Sequence, residues 1–230
     1  MTTITEPRVE LIAHTTLACD GRSPVIEGHM SLDPDAGDVQ QLVEFAGRAC
    51  YESWSKPNPA TAKNADYIAR TLHGRKHWSI AEHATATFYI TGVSRALLAE
   101  ITRHRHLSFS VLSQRFVDES EANIVIPPAA RGSEKLTWEF ENAATGARHS
   151  YRELVEALLD SGLTRKQARE AARAVLPNMT ETRIVVTGNM RAWHEVIERR
   201  TAPDADAEFQ QVAGMIRDEL KKIAPAIFTD

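Results

Sequence analysis

Strand-like and helix-like periodicities interleave along these 230 residues without strict strand–helix alternation. That order favours one α+β domain over residues 1–230, a mixed sheet packed with helices, rather than a doubly wound parallel sheet. Residues 8–15 predict a first strand, with Val9, Leu11 and Ile12 near alternation. Residues 84–91 predict a second, with Thr85, Thr87 and Tyr89 on one side and Ala86, Phe88 and Ile90 on the other. Residues 124–126, stopped by Pro127 and Pro128, and residues 182–187 add two more. Helical spacing covers 38–52, where Leu42, Phe45, Ala46 and Cys50 form an apolar stripe, and 61–72. Ser94 caps a helix over 95–105 with Leu97, Leu98 and Ile101 inward, and Thr164 caps another that Pro177 limits. Residues 133–159 form one long helix or a broken pair, and a helix starts near Met190 after the Gly188-Asn189 turn. The last helix spans 206–223, and its stripe of Phe209, Val212, Ile216, Leu220 and Ile223 is core by default. Residues 20–37, rich in Gly, Pro, Ser and Asp, read as a loop.

No apolar run reaches the roughly 18–20 residues a membrane span needs. Residues 1–10 lack the basic-then-apolar order of a signal peptide. Cys19 and Cys50 are too few for a disulfide framework or a Cys-rich metal site, so a cytoplasmic setting is expected. Net charge is −4, which argues against a nucleic-acid partner. Positive charge is nonetheless concentrated in two windows. Residues 101–116 carry Arg103, Arg105 and Arg115 with no acid, and residues 164–177 carry Arg165, Lys166, Arg169 and Arg173 against Glu170 alone. Such patches suit compact anionic ligands, or else are solvated helix faces. No glycine-rich dinucleotide or P-loop motif is present, so a nucleotide would be held by other means.

The stretch from Arg103 to Arg115 carries most of the chemistry. Successive helical residues differ by about 100°, so Arg103, His104 and Arg105 fan around a helix end instead of converging on one atom. Guanidinium groups grip phosphate in a fork and stack on flat rings, which suits one large flat ligand or two that meet there. The plainer alternative is a charged helix C-terminus stabilised by its dipole. Arg169 and Arg173, four apart, share a helix face able to grip a phosphate. Ser79 and Asn189 also read as helix caps, His83 as a structural histidine, and Arg200 is not separable from Arg199. Cys50 is explained by packing, and Ser113, with no evident base, by ligand binding rather than nucleophilic attack.

Arg103-His104-Arg105, followed after seven residues by Ser113, resembles the signature of flavin-dependent thymidylate synthases. Further segments resemble that family in order: 45–51, His77-Trp78-Ser79-Ile80-Ala81-Glu82-His83, 165–169, 172–177 and 183–189. The likeness spans about residues 40–200 and is nearest the actinobacterial branch. It implies the thymidylate synthase-complementing-protein fold, bound FAD, and reductive methylation of dUMP to dTMP. Methylenetetrahydrofolate would donate the carbon and NADPH would be the reductant. It also implies a homotetramer with shared sites, no metal, and no membrane partner. By position, Ser79, Arg103, His104, Arg105, Asn189, Arg191 and His77 match residues at the flavin. Glu100, Arg103, Ser113, Gln114, Arg115 and Arg173 match residues that hold dUMP, and Arg200 matches the arginine placed against the uracil ring.

Three positions depart from the family pattern. Val111 stands where Glu or Gln is usual, Glu195 stands where close relatives have a flavin-contacting histidine, and Gln210 replaces a commonly basic residue. The alternative to full activity is a degenerate member that binds nucleotide without catalysis. A metal-dependent phosphohydrolase built on His77, His83, His104 and His106 is disfavoured by the neighbouring arginines and the lack of an H-E-x-x-H pattern.

Overall fold

The structure is a computed structural model that describes residues 4–18, 24–55 and 63–229. Cys19, the start of the helix expected over 61–72 and part of the loop expected over 20–37 lie outside the described residues. In chain order the elements are β1 (Arg8–His14), α1 (Pro24–His29), α2 (Asp38–Ala49), α3 (Asn64–Ile68), β2 (Thr85–Ser94), α4 (Arg95–Ile101), β3 (Leu107–Val111), α5 (Glu134–Asp160), α6 (Arg165–Ala172), β4 (Glu181–Asn189), α7 (Met190–Arg200) and α8 (Ala207–Ile223). A π-helical turn, Ala69–Gly74, comes after α3, and a 3₁₀ turn, Trp78–His83, leads into β2.

The α+β reading holds, but the sheet is antiparallel throughout, in the order β1-β2-β4-β3. The parallel pairing found among the described residues is the isolated bridge Ile4–Ile124. Residues 124–126 are therefore not a strand: Ile124 bridges Ile4 and Thr180 singly. β2 alternates as its sequence demands, with Ala86, Phe88 and Ile90 fully buried. β3 is an addition, because helical spacing extends through Arg105. α4 instead ends at Ile101, and Leu107, Phe109 and Val111 alternate with two serines along β4, where ladder pairing overrides a weak helical preference.

α2 stops at Ala49, which leaves Cys50 as an exposed C-cap outside the apolar stripe to which its spacing assigns it. α5 runs unbroken for 27 residues from its Ser133 cap. α6 carries a capping box in which Thr164 and Gln167 satisfy each other's backbone amides. The principal core lies between one sheet face and α7 and α8. Trp193 meets Phe88 edge-on at 5.1 Å and donates its indole N–H to the Ala86 carbonyl at 3.1 Å. The α8 stripe is core: Phe209, Val212, Ile216 and Leu220 have no exposure, and Ile223 packs at the edge.

Two caps tie the sheet to the helices that leave it. The Ser94 hydroxyl accepts from the Leu97 amide and donates to Glu208 at 2.6 Å, while the Ser94 amide donates to the same carboxylate at 2.7 Å. Burial pushes the Glu208 pKa up, and these two donors hold it down. Ser94→Ala removes the cap, worth about 1 kcal/mol, and leaves a buried carboxylate oxygen short of a donor, worth about 1–3 kcal/mol. Urea unfolding should show a loss of about 2–4 kcal/mol. A loss well under that range would mean that Glu208 finds water and the two elements are not locked through Ser94.

Candidate active site

β2 and β4 are antiparallel, so α4 leaves the sheet at one end and α7 at the other. Ser94 lies opposite Glu181, and Asn189 lies opposite Thr85. The two helices hold 7 and 11 residues. At 1.5 Å per residue they span together about 27 Å. That is close to the roughly 30 Å of strand between their caps, and their C-terminal ends meet.

At that junction Arg200 donates through Nη1 to Glu100 at 2.9 Å and through Nε to His104 Nε2 at 3.0 Å. Its guanidinium lies 4.8 Å from the Phe209 ring centroid, and His104 meets the same ring edge-on at 5.9 Å. The Arg200 side chain is 19% exposed, whereas Arg199 is exposed, which separates the neighbours that sequence alone leaves equal. Because His104 Nε2 accepts a hydrogen bond, the ring is neutral with its proton on Nδ1. Burial first, and then Arg200 and Arg199, hold its pKa below the ordinary 6.5.

A second group gathers at the start of α7. His77, Ser79 and Arg191 line a cavity of about 420 Å³ with Trp78, His194 and Glu195. Trp78 and His194 stack at 3.7 Å between centroids, and burial lowers the His194 pKa. Arg191 is clamped by Glu82 at 2.6 Å and Glu195 at 3.2 Å. Asn189, Arg191 and His106 border a smaller cavity of about 160 Å³. The Asn189 carbonyl oxygen caps α7 through the Ala192 amide at 2.8 Å, while its Nδ2 has no partner among the described residues. Ser79 caps nothing: it is exposed within the 3₁₀ turn, whose cap position is His77. His83 is likewise exposed.

The remaining expected residues lie elsewhere. Arg103 and Arg105 are exposed beyond the end of α4, with no ion pair among the described residues. The Ser113 carbonyl accepts from the Phe116 and Val117 amides, Gln114 is buried, and Arg115 faces Glu170 at 3.6 Å. Arg169 does not join Arg173 in a phosphate grip: it donates to the Phe116 carbonyl at 2.6 Å and to Asp118 at 2.8 Å, fastening that turn. Arg173 is half-buried as the α6 C-cap. Val111 packs against the core opposite Ile184, and Gln210 binds the carbonyls of Pro203 and Ala205. No three His, Cys, Asp or Glu residues come together to hold a metal ion among the described residues.

Sequence reasoning named Glu100 and noted Glu195 as a departure from the family pattern, but missed that Glu195 and Glu82 position Arg191. Glu195 had a local signal, four residues after Arg191 on one helix face. Glu82, 109 residues from Arg191, had none.

The family model described as "Thymidylate synthase complementing protein" matches residues 34–226. The chain is 48% identical to the flavin-dependent thymidylate synthase of Mycobacteroides abscessus, covering 100% of this chain and 92% of that protein. It is 47% identical to the Mycobacterium tuberculosis protein of the same name, covering 97% and 89%. Among solved structures, a crystal structure of Helicobacter pylori thymidylate synthase X with FAD and dUMP matches with a TM-score of 0.64 and 19% identity, covering 98% of this chain and 100% of that one. The UMP/dUMP methylase PolB of Streptomyces cacaoi, bound with 5-Br dUMP, matches with a TM-score of 0.70 and 24% identity, covering 99% and 95%. These two establish the likeness of fold.

The lowered His104 pKa has a consequence for stability. The unfolded chain takes up a proton near 6.5 that the folded ring refuses, so this histidine's contribution is fully present above that pH and is lost as pH falls towards the folded value. Thermal unfolding between pH 8 and pH 5 should show a smaller acid-side loss for His104→Asn than for the parent. Parallel curves would show that the ring protonates freely in place and that its bond to Arg200 is absent.

Proposed function

The chain belongs to the flavin-dependent thymidylate synthase family, and on that premise we propose that it methylates dUMP to dTMP on bound FAD. Methylenetetrahydrofolate is the carbon donor and NADPH the reductant in this reading. The observation that carries it is the Arg200 constellation, a cation held at fixed distance by Glu100 and by a neutral His104. A guanidinium set against a uracil ring favours ionisation at N3 and polarises the ring for attack at C5. Fixing that group beforehand removes the reorganisation it would otherwise need during reaction.

The residues present fit a flavin dinucleotide. Among the described residues Asn189 Nδ2 is unspent, Arg103 and Arg105 lack carboxylate partners, and His77, Ser79 and Arg191 line one cavity. The flavin, when bound, supplies the hydride chemistry that no side chain here provides. Arg103, Arg105 and Arg191 are then the donors available to its phosphates. Ser113, Gln114, Arg115 and Arg173 are the expected hold on dUMP. None of these four is joined by a hydrogen bond or ion pair to Glu100, His104 or Arg200 in the single chain, which suits a homotetramer whose sites are shared between copies. No helix among the described residues is long and apolar enough to cross a membrane.

The degenerate reading rests on the departures at Val111 and Glu195, and Glu195 together with Glu82 already satisfies Arg191. Absorbance of the purified protein, with FAD and then NADPH and dUMP added, decides between the two. Flavin bands that bleach on NADPH addition, with dTMP formed once methylenetetrahydrofolate is present, are the expected outcome. Nucleotide binding without any flavin binding would leave only the degenerate reading. Glu195→Gln releases one of the two anions on Arg191, and FAD should bind several-fold more tightly in a fluorescence-quenching titration. An unchanged Kd would remove Arg191 from the flavin contacts.

A further inference from the structure

A cavity of about 670 Å³ opens on the other side of His77, walled by Tyr51, Tyr67, Arg70, Arg75 and Lys76. It shares Lys76 and His77 with the 420 Å³ cavity assigned to the flavin, so the two volumes adjoin. Among the described residues its wall carries three cations and no carboxylate. Among the described residues the exposed Arg75 and Lys76 side chains have no hydrogen bond or ion pair, and Arg70 lies over the Tyr67 ring, at 5.8 Å, with no carboxylate partner. This differs from Arg191 and Arg200, which carboxylates neutralise. Tyr51 is 71% exposed and stands edge-on to His77 at 6.1 Å. Lys76 has φ +58°, a left-handed conformation in which glycine is the unstrained choice, yet a cationic side chain occupies it.

A volume of this size takes a ligand of cofactor dimensions. Aromatic faces beside unpaired cations recognise a flat heterocycle joined to several anionic groups. We propose that this cavity seats the anionic part of the co-substrate that reacts beside His77. The inference rests on the function proposed above, and it assigns to Arg70, Arg75 and Lys76 the charge recognition that the flavin and dUMP residues do not supply. Two sources carry this chemistry: the phosphates of NADPH and the glutamate tail of the folate. With the ring end against His77, either would lay its negative charges across the three cations.

The test uses the full chain loaded with FAD and an Arg70→Ala/Arg75→Ala double variant, which removes two of the three cations and leaves Lys76, shared with the flavin cavity, in place. Calorimetry measures binding of NADPH, NADH, and monoglutamyl and pentaglutamyl tetrahydrofolate, with FAD and dUMP as controls. The expected result is about tenfold weaker binding of at least one polyanionic probe, with a flatter salt dependence, while FAD and dUMP affinities stay unchanged. Loss for NADPH but not NADH identifies the 2′-phosphate as the group held. Loss for pentaglutamyl but not monoglutamyl tetrahydrofolate identifies the glutamate tail. Arg75→Lys keeps the charge and should bind as the parent does. Unchanged affinity for all four probes overturns the assignment, as does weakened FAD binding, which would give the cavity to the flavin. Failure of the parent chain to bind FAD or dUMP would instead overturn the function proposed above.

Discussion

The antiparallel register of β2 against β4 is the constraint on which the rest depends. It sets Thr85 opposite Asn189 and Ser94 opposite Glu181. Each of these strands ends in a residue that caps the helix after it, so one ladder places the starts of both α4 and α7. A slip of two residues in that ladder would move the helix ends by about 7 Å and part Arg200 from Glu100. The ladder is protected by its position, since β2 and β4 are the two inner strands and Phe88, Ile90, Ile184 and Val186 are wholly buried.

Where the two helices end, their carbonyl dipoles concentrate negative potential, and the chain answers with Arg103, Arg105, Arg199 and Arg200. These cations are divided by their partners. Arg200 is committed inward to Glu100, His104 and Phe209, whereas Arg103 and Arg105 are left to solvent. A cation committed in advance polarises; an uncommitted one binds. That division leaves one guanidinium fixed at the helix junction and two open to solvent. On the same helix as Arg200, Glu195 spends Arg191 on the protein itself.

Features set by neighbours in the chain are legible in the sequence. Ser94, Thr164 and Asn189 act as the caps their residue types announce, and the α8 stripe is core as its period requires. Features set by distant partners are not. β3 exists because β4 offers it an edge, and the helical reading of residues 102–105 could not include that. Arg169 shares a face with Arg173, but a carbonyl at Phe116 and a carboxylate at Asp118 claim it first. Cys50 fits the stripe by spacing and leaves it because the helix ends one residue earlier. The Arg200–Glu100 pair joins residues 100 apart, and only the family resemblance singled out the arginine.

The π-helical turn at Ala69–Gly74 is, in effect, one residue more than an α-helix would hold over the same rise. A single residue gained or lost there turns the chain beyond it by about 100°. Residues 75 and 76 come directly after the turn, on the approach to His77. The turn also carries Leu72, fully buried in the core, so an insertion or deletion that changes the charge presented beside His77 also disturbs the packing beneath it.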